Sequence, residues 1–234
     1  LPLARSFDTV GWFATDAKTL QRVGNVLLPA GHNESTKGYC IYEPALKFLS
    51  KSDEALFREA LDRSSLPRIG SITKETIWPE RSAELVESLR VLQAAEAWHA
   101  HGEWVLGAPG GALGEDIRER FYAGRDITEV ELQSAKTLQD ALIADMGNLL
   151  EQYEIIAIPT VNNEALRIDA SDSERLLYRQ NVIQITCLSS LTGLPELSMP
   201  LINKAGARMG VSLLARPEFD RALLGFVANN IARL

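Results

Sequence analysis

The sequence is short of most signals that announce a function. Its two cysteines, Cys40 and Cys187, stand far apart, which leaves neither a disulfide framework nor a zinc-binding pair and fits a reducing cytoplasm. The three histidines, His32, His99 and His101, have no HExxH pattern or cysteine pair beside them. No metal and no organic cofactor are therefore expected. No apolar run approaches the ~18 residues of a membrane-spanning helix, so a membrane partner is not expected. There are 24 basic residues against 31 acidic ones and no Lys/Arg cluster, which excludes the electrostatic footprint of a nucleic-acid binder. A GxSxG elbow, a P-loop and a GxGxxG after a strand are all missing. Gly107-Ala108-Pro109-Gly110-Gly111 is glycine-rich, but its proline and the lack of a flanking strand argue against a phosphate cradle.

What remains is a mildly acidic chain of 234 residues, net charge −7 and 46% apolar, enough for one large domain with a real core. A loop rich in turn formers, Arg5 to Gly11, precedes a helix with Thr15 or Asp16 as N-cap and Leu20, Val23, Val26 and Leu27 as its apolar face. Tyr39 to Tyr42 reads as a short strand. Glu43 to Arg63 has helical spacing broken near Ser50 to Ser52, and Ile69 to Ile77 alternates like another strand. A long helix is predicted from about Glu80 to Trp104, and a short one, with acids in its first turn, from Glu115 to Phe121. Thr128 and Glu131 form a capping box for a second long helix.

Ile155 to Ile158 is wholly apolar and ends at Pro159-Thr160, the pattern of a strand buried on both faces. Ser173 to Thr192 is helical and stops at Gly193, with Pro195 just beyond. Leu197 to Leu201 and Met209 to Leu214 read as strands joined by an Asn203-Lys204-Ala205-Gly206 turn, and Phe219 opens a last helix that Asp220 is placed to cap. Strands alternating with helices give an α/β, mixed α+β, fold around one mixed sheet covered on both faces.

Two residues invite a functional reading. On the Glu80–Trp104 helix, Leu85, Leu89 and Leu92 form a narrow stripe, and Glu96 falls in its middle. A carboxylate there is paired or functional; the simpler account is a structural hydrogen bond, or a stripe that runs out to solvent. Arg120, in Arg118-Glu119-Arg120-Phe121, has a solvated helix face as its simpler account. Taken alone, the motifs contain no catalytic centre.

Leu3-Ala4-Arg5-Ser6-Phe7-Asp8-Thr9-Val10-Gly11-Trp12-Phe13-Ala14 resembles the PLAxSFDTVGWFAR stretch of the amidase signature family, with Thr15 in place of the usual arginine. Leu92-Gln93, Glu96, Trp98 and His101-Gly102, with Trp104, resemble a helix of its indole-acetamide hydrolase branch. Ile155 to Thr160, Gly193 to Pro200, Met209 to Leu214 and Asp220 to Leu224 match further family segments in order. The resemblance spans nearly the whole chain.

It implies that residues 1–234 are the C-terminal portion of one amidase-signature domain, whose Lys, cis-Ser and nucleophilic Ser lie in an N-terminal half absent from this chain. No catalytic residue is carried over, and the chain alone is expected to be inactive. The implied reaction turns a small primary amide and water into a carboxylic acid and ammonia, without cofactor. The expected partners are the N-terminal half of the same fold, a small-molecule amide and a possible homodimer. In relatives acting on carboxylate-bearing substrates an arginine helps to bind the substrate, and Arg120 is its counterpart here; Trp98 points instead to a neutral or arylalkyl amide. Glu96, Trp98, Arg120, Gln180 and Gln184 are the substrate-binding candidates. The alternatives are a catalytically dead scaffold or binding module, and the amidase subunit of a multi-chain amidotransferase.

Overall fold

The computed structural model describes residues 2–30, 36–162, 166–202, 206 and 208–231. At its centre lies β3 (Ile155–Pro159), every residue of which is buried. Side chains of a strand alternate between faces, so an uninterrupted apolar run has to be covered twice. Ile155 and Ala157 enter one core and Ile156 and Ile158 the other.

Around β3 the sheet runs β2-β1-β3-β5-β4, with β1 (Tyr39–Tyr42), β2 (Arg68–Ile72), β4 (Glu196–Ile202) and β5 (Arg208–Ala215). β1 is parallel to both β2 and β3; β5 is antiparallel to β3, and β4 to β5. The sheet is mixed, as expected. One face is covered by α1 (Ala17–Leu27), α2 (Lys51–Arg63) and α8 (Asp220–Asn230). The other carries a 3₁₀ turn (Glu43–Phe48), a short helical segment α3 (Ile77–Glu80) and three helices, α4 (Ser82–Gly107), α6 (Glu129–Tyr153) and α7 (Asp172–Thr192). Helix α5 (Glu115–Arg125) packs back along α4.

Local chemistry sets the element boundaries. Asp16 caps α1 by accepting from Thr19 N, Ser50 caps α2, and Thr128–Glu131 closes a capping box on α6. A second box, Ser171–Glu174, starts α7, and Gly193 ends it in the left-handed conformation at φ 65°. At α8 the expectation of a cap by Asp220 fails: the N-cap is Phe219, with no side-chain hydrogen bond, and Asp220 is the first helical residue. There its charge faces the positive end of the helix dipole. The predicted 203–206 turn lies outside the described residues apart from Gly206.

The buried face of α1 is also rotated from the one its larger residues suggest. Val26 and Leu27 are exposed, whereas Ala17 and Gly24 are buried. Gly24 is the reason: a Cβ there would lie 2.4 Å from Leu224 Cδ1, so its bare backbone lets α8 approach. Gly124 does the same for α5 against α4, since a Cβ would meet the Ala94 carbonyl oxygen at 2.2 Å.

Gly124→Ala therefore overpacks a backbone contact, and we expect it to destabilise the chain by about 1–3 kcal/mol. Gly147→Ala, in the open middle of α6, should instead stabilise by about 0.5–1 kcal/mol through helix propensity alone. Urea unfolding of the two variants beside the parent chain measures both.

Candidate functional site

The five sequence candidates fall into two groups. Glu96 and Trp98 lie on the C-terminal half of α4, with Arg120 on the facing helix α5. The segment before α1 folds over this helix pair. Asp8 ties it locally by accepting from Leu3 N at 2.9 Å, and His101 Nε2 meets the Pro2 carbonyl at 2.7 Å. Glu96 is half-buried, and its Oε2 accepts from Ser6 N at 2.9 Å. The carboxylate on the apolar stripe thus has a structural partner, an exposed backbone N–H of the segment that crosses α4. Trp98 packs against Tyr122 with ring centroids 6.1 Å apart. Arg120 is exposed, with no hydrogen bond or ion pair among the described residues.

Gln180 and Gln184 are on α7. Gln184 joins a buried junction: its Oε1 accepts from Ser82 Oγ at 3.0 Å and its carbonyl from Trp78 Nε1 at 2.8 Å. Trp78 is fully buried, stacked on Tyr42 at 5.9 Å, and Tyr42 Oη donates to the Trp78 carbonyl. Gln180 is exposed one turn away and offers its carbonyl to Gln184 Nε2 at 3.4 Å. Ser82 marks the start of α4, and Glu96 stands 14 residues on, roughly 21 Å along the axis at ~1.5 Å per residue. The structure joins Gln180 to Gln184 but gives Glu96 and Trp98 separate partners, Ser6 and Tyr122, and keeps the α4 group apart from the α7 group.

A third polar group was not foreseen. Thr160, just past β3, bridges Ser198 on β4 and Ser212 on β5 at 2.9 and 2.8 Å, and Ser212 Oγ donates to Glu196 Oε1 at 2.6 Å. Ser212 is fully buried, whereas Glu196, Ser198 and Pro200 form the exposed alternate row of β4. The sequence carried a signal for it, the strict alternation of Glu196-Leu197-Ser198-Met199-Pro200, but pairing this row with Ser212 requires the register. Among the described residues no lysine or histidine is bonded to these hydroxyls; their one basic partner is the Glu196 carboxylate, and the serine it meets, Ser212, is fully buried.

No group of three metal-ligating side chains occurs among the described residues, and none of the described helices is long and apolar enough to cross a membrane. Both cysteines are buried and free. Desolvation raises both thiols, that of Cys187 to about 12.

Known proteins can be set against this geometry. The Amidase family profile matches residues 61–224. The chain belongs to the amidase signature family. Relatives include Amidase 1 of Arabidopsis thaliana, 26% identical over 97% of this chain and 60% of that protein. The translocon at the outer membrane of chloroplasts 64 of Pisum sativum is 25% identical over 96% of this chain and 42% of that protein. A crystal structure of an amidase superposes on 99% of the chain with a TM-score of 0.77 and 19% identity, over 55% of its own length. This amidase-family chain thus spans about half the length of the proteins it matches.

Two measurements test the local assignments. Glu96→Ala removes the acceptor of Ser6 N, and we expect hydrogen exchange at the Ser6 amide to rise at least tenfold, with global stability changed by less than about 1 kcal/mol. For Cys187, with its pKa pushed up to about 12, the thiolate fraction at pH 8 is about one in ten thousand. Iodoacetamide should leave it unlabelled in the folded chain and modify it in urea.

Proposed function

We propose that this chain forms part of an amide hydrolase that converts a small primary amide and water into a carboxylic acid and ammonia. In this reading its sheet and helices complete a pocket, while a Lys, cis-Ser and Ser set on further polypeptide performs the attack. The carrying observation is the family match over residues 61–224. The unclosed parts of the fold support the same reading. β2 and β4 are sheet edges, and the first half of α7 leaves Leu176 and Leu177 each 58% exposed, surfaces that a larger fold would cover.

Within such a pocket Arg120, exposed and unpaired among the described residues, suits a substrate carboxylate, because a guanidinium binds both oxygens in one fork. Trp98 suits an aryl or indolyl amide. A cytoplasmic enzyme, acting as a homodimer or inside a larger assembly, is consistent with this chemistry. A second reading, a binding scaffold without turnover, draws support from the Pisum sativum relative, whose name places it in a translocon at the outer membrane of chloroplasts, at comparable identity.

An ammonia-release assay over aliphatic, aryl and indole acetamides decides between them, comparing the 234-residue chain with the complete product of its locus. We expect activity in the complete product only, with Arg120→Ala lowering kcat/KM at least tenfold for amides that carry a carboxylate, about 1.4 kcal/mol or more. Turnover by the short chain alone would overturn the shared-site reading. Silence of both would leave the scaffold.

A further inference from the structure

The chain of hydroxyls on β4 and β5 has a forced polarity. A hydroxyl has one proton to give and an ionised carboxylate has none. Ser212 gives its proton to Glu196 Oε1 at 2.6 Å. It must then accept from Thr160 at 2.8 Å, and Thr160 must accept from Ser198 at 2.9 Å. All three protons point toward Glu196. The far end, Ser198 Oγ, keeps lone pairs with no donor among the described residues, and so does the second oxygen of Glu196.

Both groups stand exposed on the same face of the edge strand, two residues apart. No described residue forms an ion pair with Glu196. Arg216 lies over the Phe219 ring at 3.6 Å, and Arg208 is paired across from Ile202 at the other end of β4, six residues from Glu196 and roughly 20 Å away at ~3.3 Å per residue. The floor beside Ser198 is low. Pro200 faces Gly210, where a Cβ would already meet Thr160 Cβ at 3.0 Å.

We propose that this face binds a primary ammonium group, R–NH₃⁺, with Glu196 supplying the charge and Ser198 Oγ an oriented acceptor. The donor pattern selects the ligand class. A guanidinium is best met by a carboxylate alone, in a planar fork, whereas here one lone pair of Oε1 is taken by Ser212 and the other acceptor on this face is a hydroxyl two residues on. A hard cation such as Ca²⁺ wants six or more oxygens, with several carboxylates or carbonyls among them. An ammonium needs only a few separated acceptors, and the part-buried Ser212–Thr160 pair fixes those at hand.

The group has two possible sources, a free small amine or a lysine side chain of polypeptide seated on this face. The free-amine case deepens the amide-hydrolysis reading, whose product ammonia is ammonium at neutral pH; binding itself is read without any turnover. The probe is methylammonium chloride, followed by amide chemical shifts of Thr160, Ser198, Gly210 and Ser212 in the 234-residue chain. Tetramethylammonium chloride, which has the charge but no N–H, is the control.

We expect saturable shifts with methylammonium, and at least tenfold weaker binding both by tetramethylammonium and in Glu196→Gln and Ser198→Ala chains. Equal responses to the two salts, or unaltered binding by Glu196→Gln, overturn the proposal. Repeating the titration on the complete product of the locus separates the sources. Retained methylammonium shifts identify a free-amine site. Loss of those shifts, with Glu196→Gln lowering Tm more in the complete product than in the 234-residue chain, identifies a lysine. Loss of the shifts with the same Tm change in both overturns the proposal.

Discussion

Everything in this fold answers to β3. Four consecutive aliphatic side chains, Ile155 to Ile158, cannot be hidden by one layer. Each isoleucine brought out of water stabilises the fold by about 1.5–3 kcal/mol, but only if a helical layer meets it on its own face. Helices α1, α2 and α8 supply one layer and α4, α6 and α7 the other. The hydrogen-bonding edges of β3 are satisfied by β1 on one side and β5 on the other.

Much of this architecture was legible because it is written in local chemistry. Capping boxes, the left-handed Gly193 and the unbroken apolar run are short-range statements, and the structure repeats them. The misreadings have separate causes. Val26 and Leu27 look like the buried face of α1 until Gly24 is seen to pack against the Leu224 side chain of α8, which only tertiary packing reveals. Asp220 has the composition of a cap but sits one residue too late.

The site was less legible than the fold. Glu96 was recognised as a carboxylate in an apolar stripe, but its partner, Ser6 N, lies 90 residues away in sequence. Gln184 turns out to hold Trp78 and Ser82, again across long separations. The Thr160–Ser198–Ser212–Glu196 chain went unnoticed because hydroxyls on alternate strand positions are ordinary until register sets them opposite one another. Distance in sequence, rather than weakness of the interactions, hid these groups.

The mixed pairing around β3 also bears on how the chain is made. Its parallel neighbour, β1, precedes it by more than a hundred residues, whereas its antiparallel neighbour, β5, begins only at Arg208. At ~5–20 residues per second on the ribosome, the roughly 50 residues between β3 and β5 leave an aliphatic strand half-paired for several seconds. A middle strand that pairs with an early strand on one side and a late one on the other keeps one edge open until β5 has been made, and the helices between them, α7 foremost, are in place to shield it meanwhile.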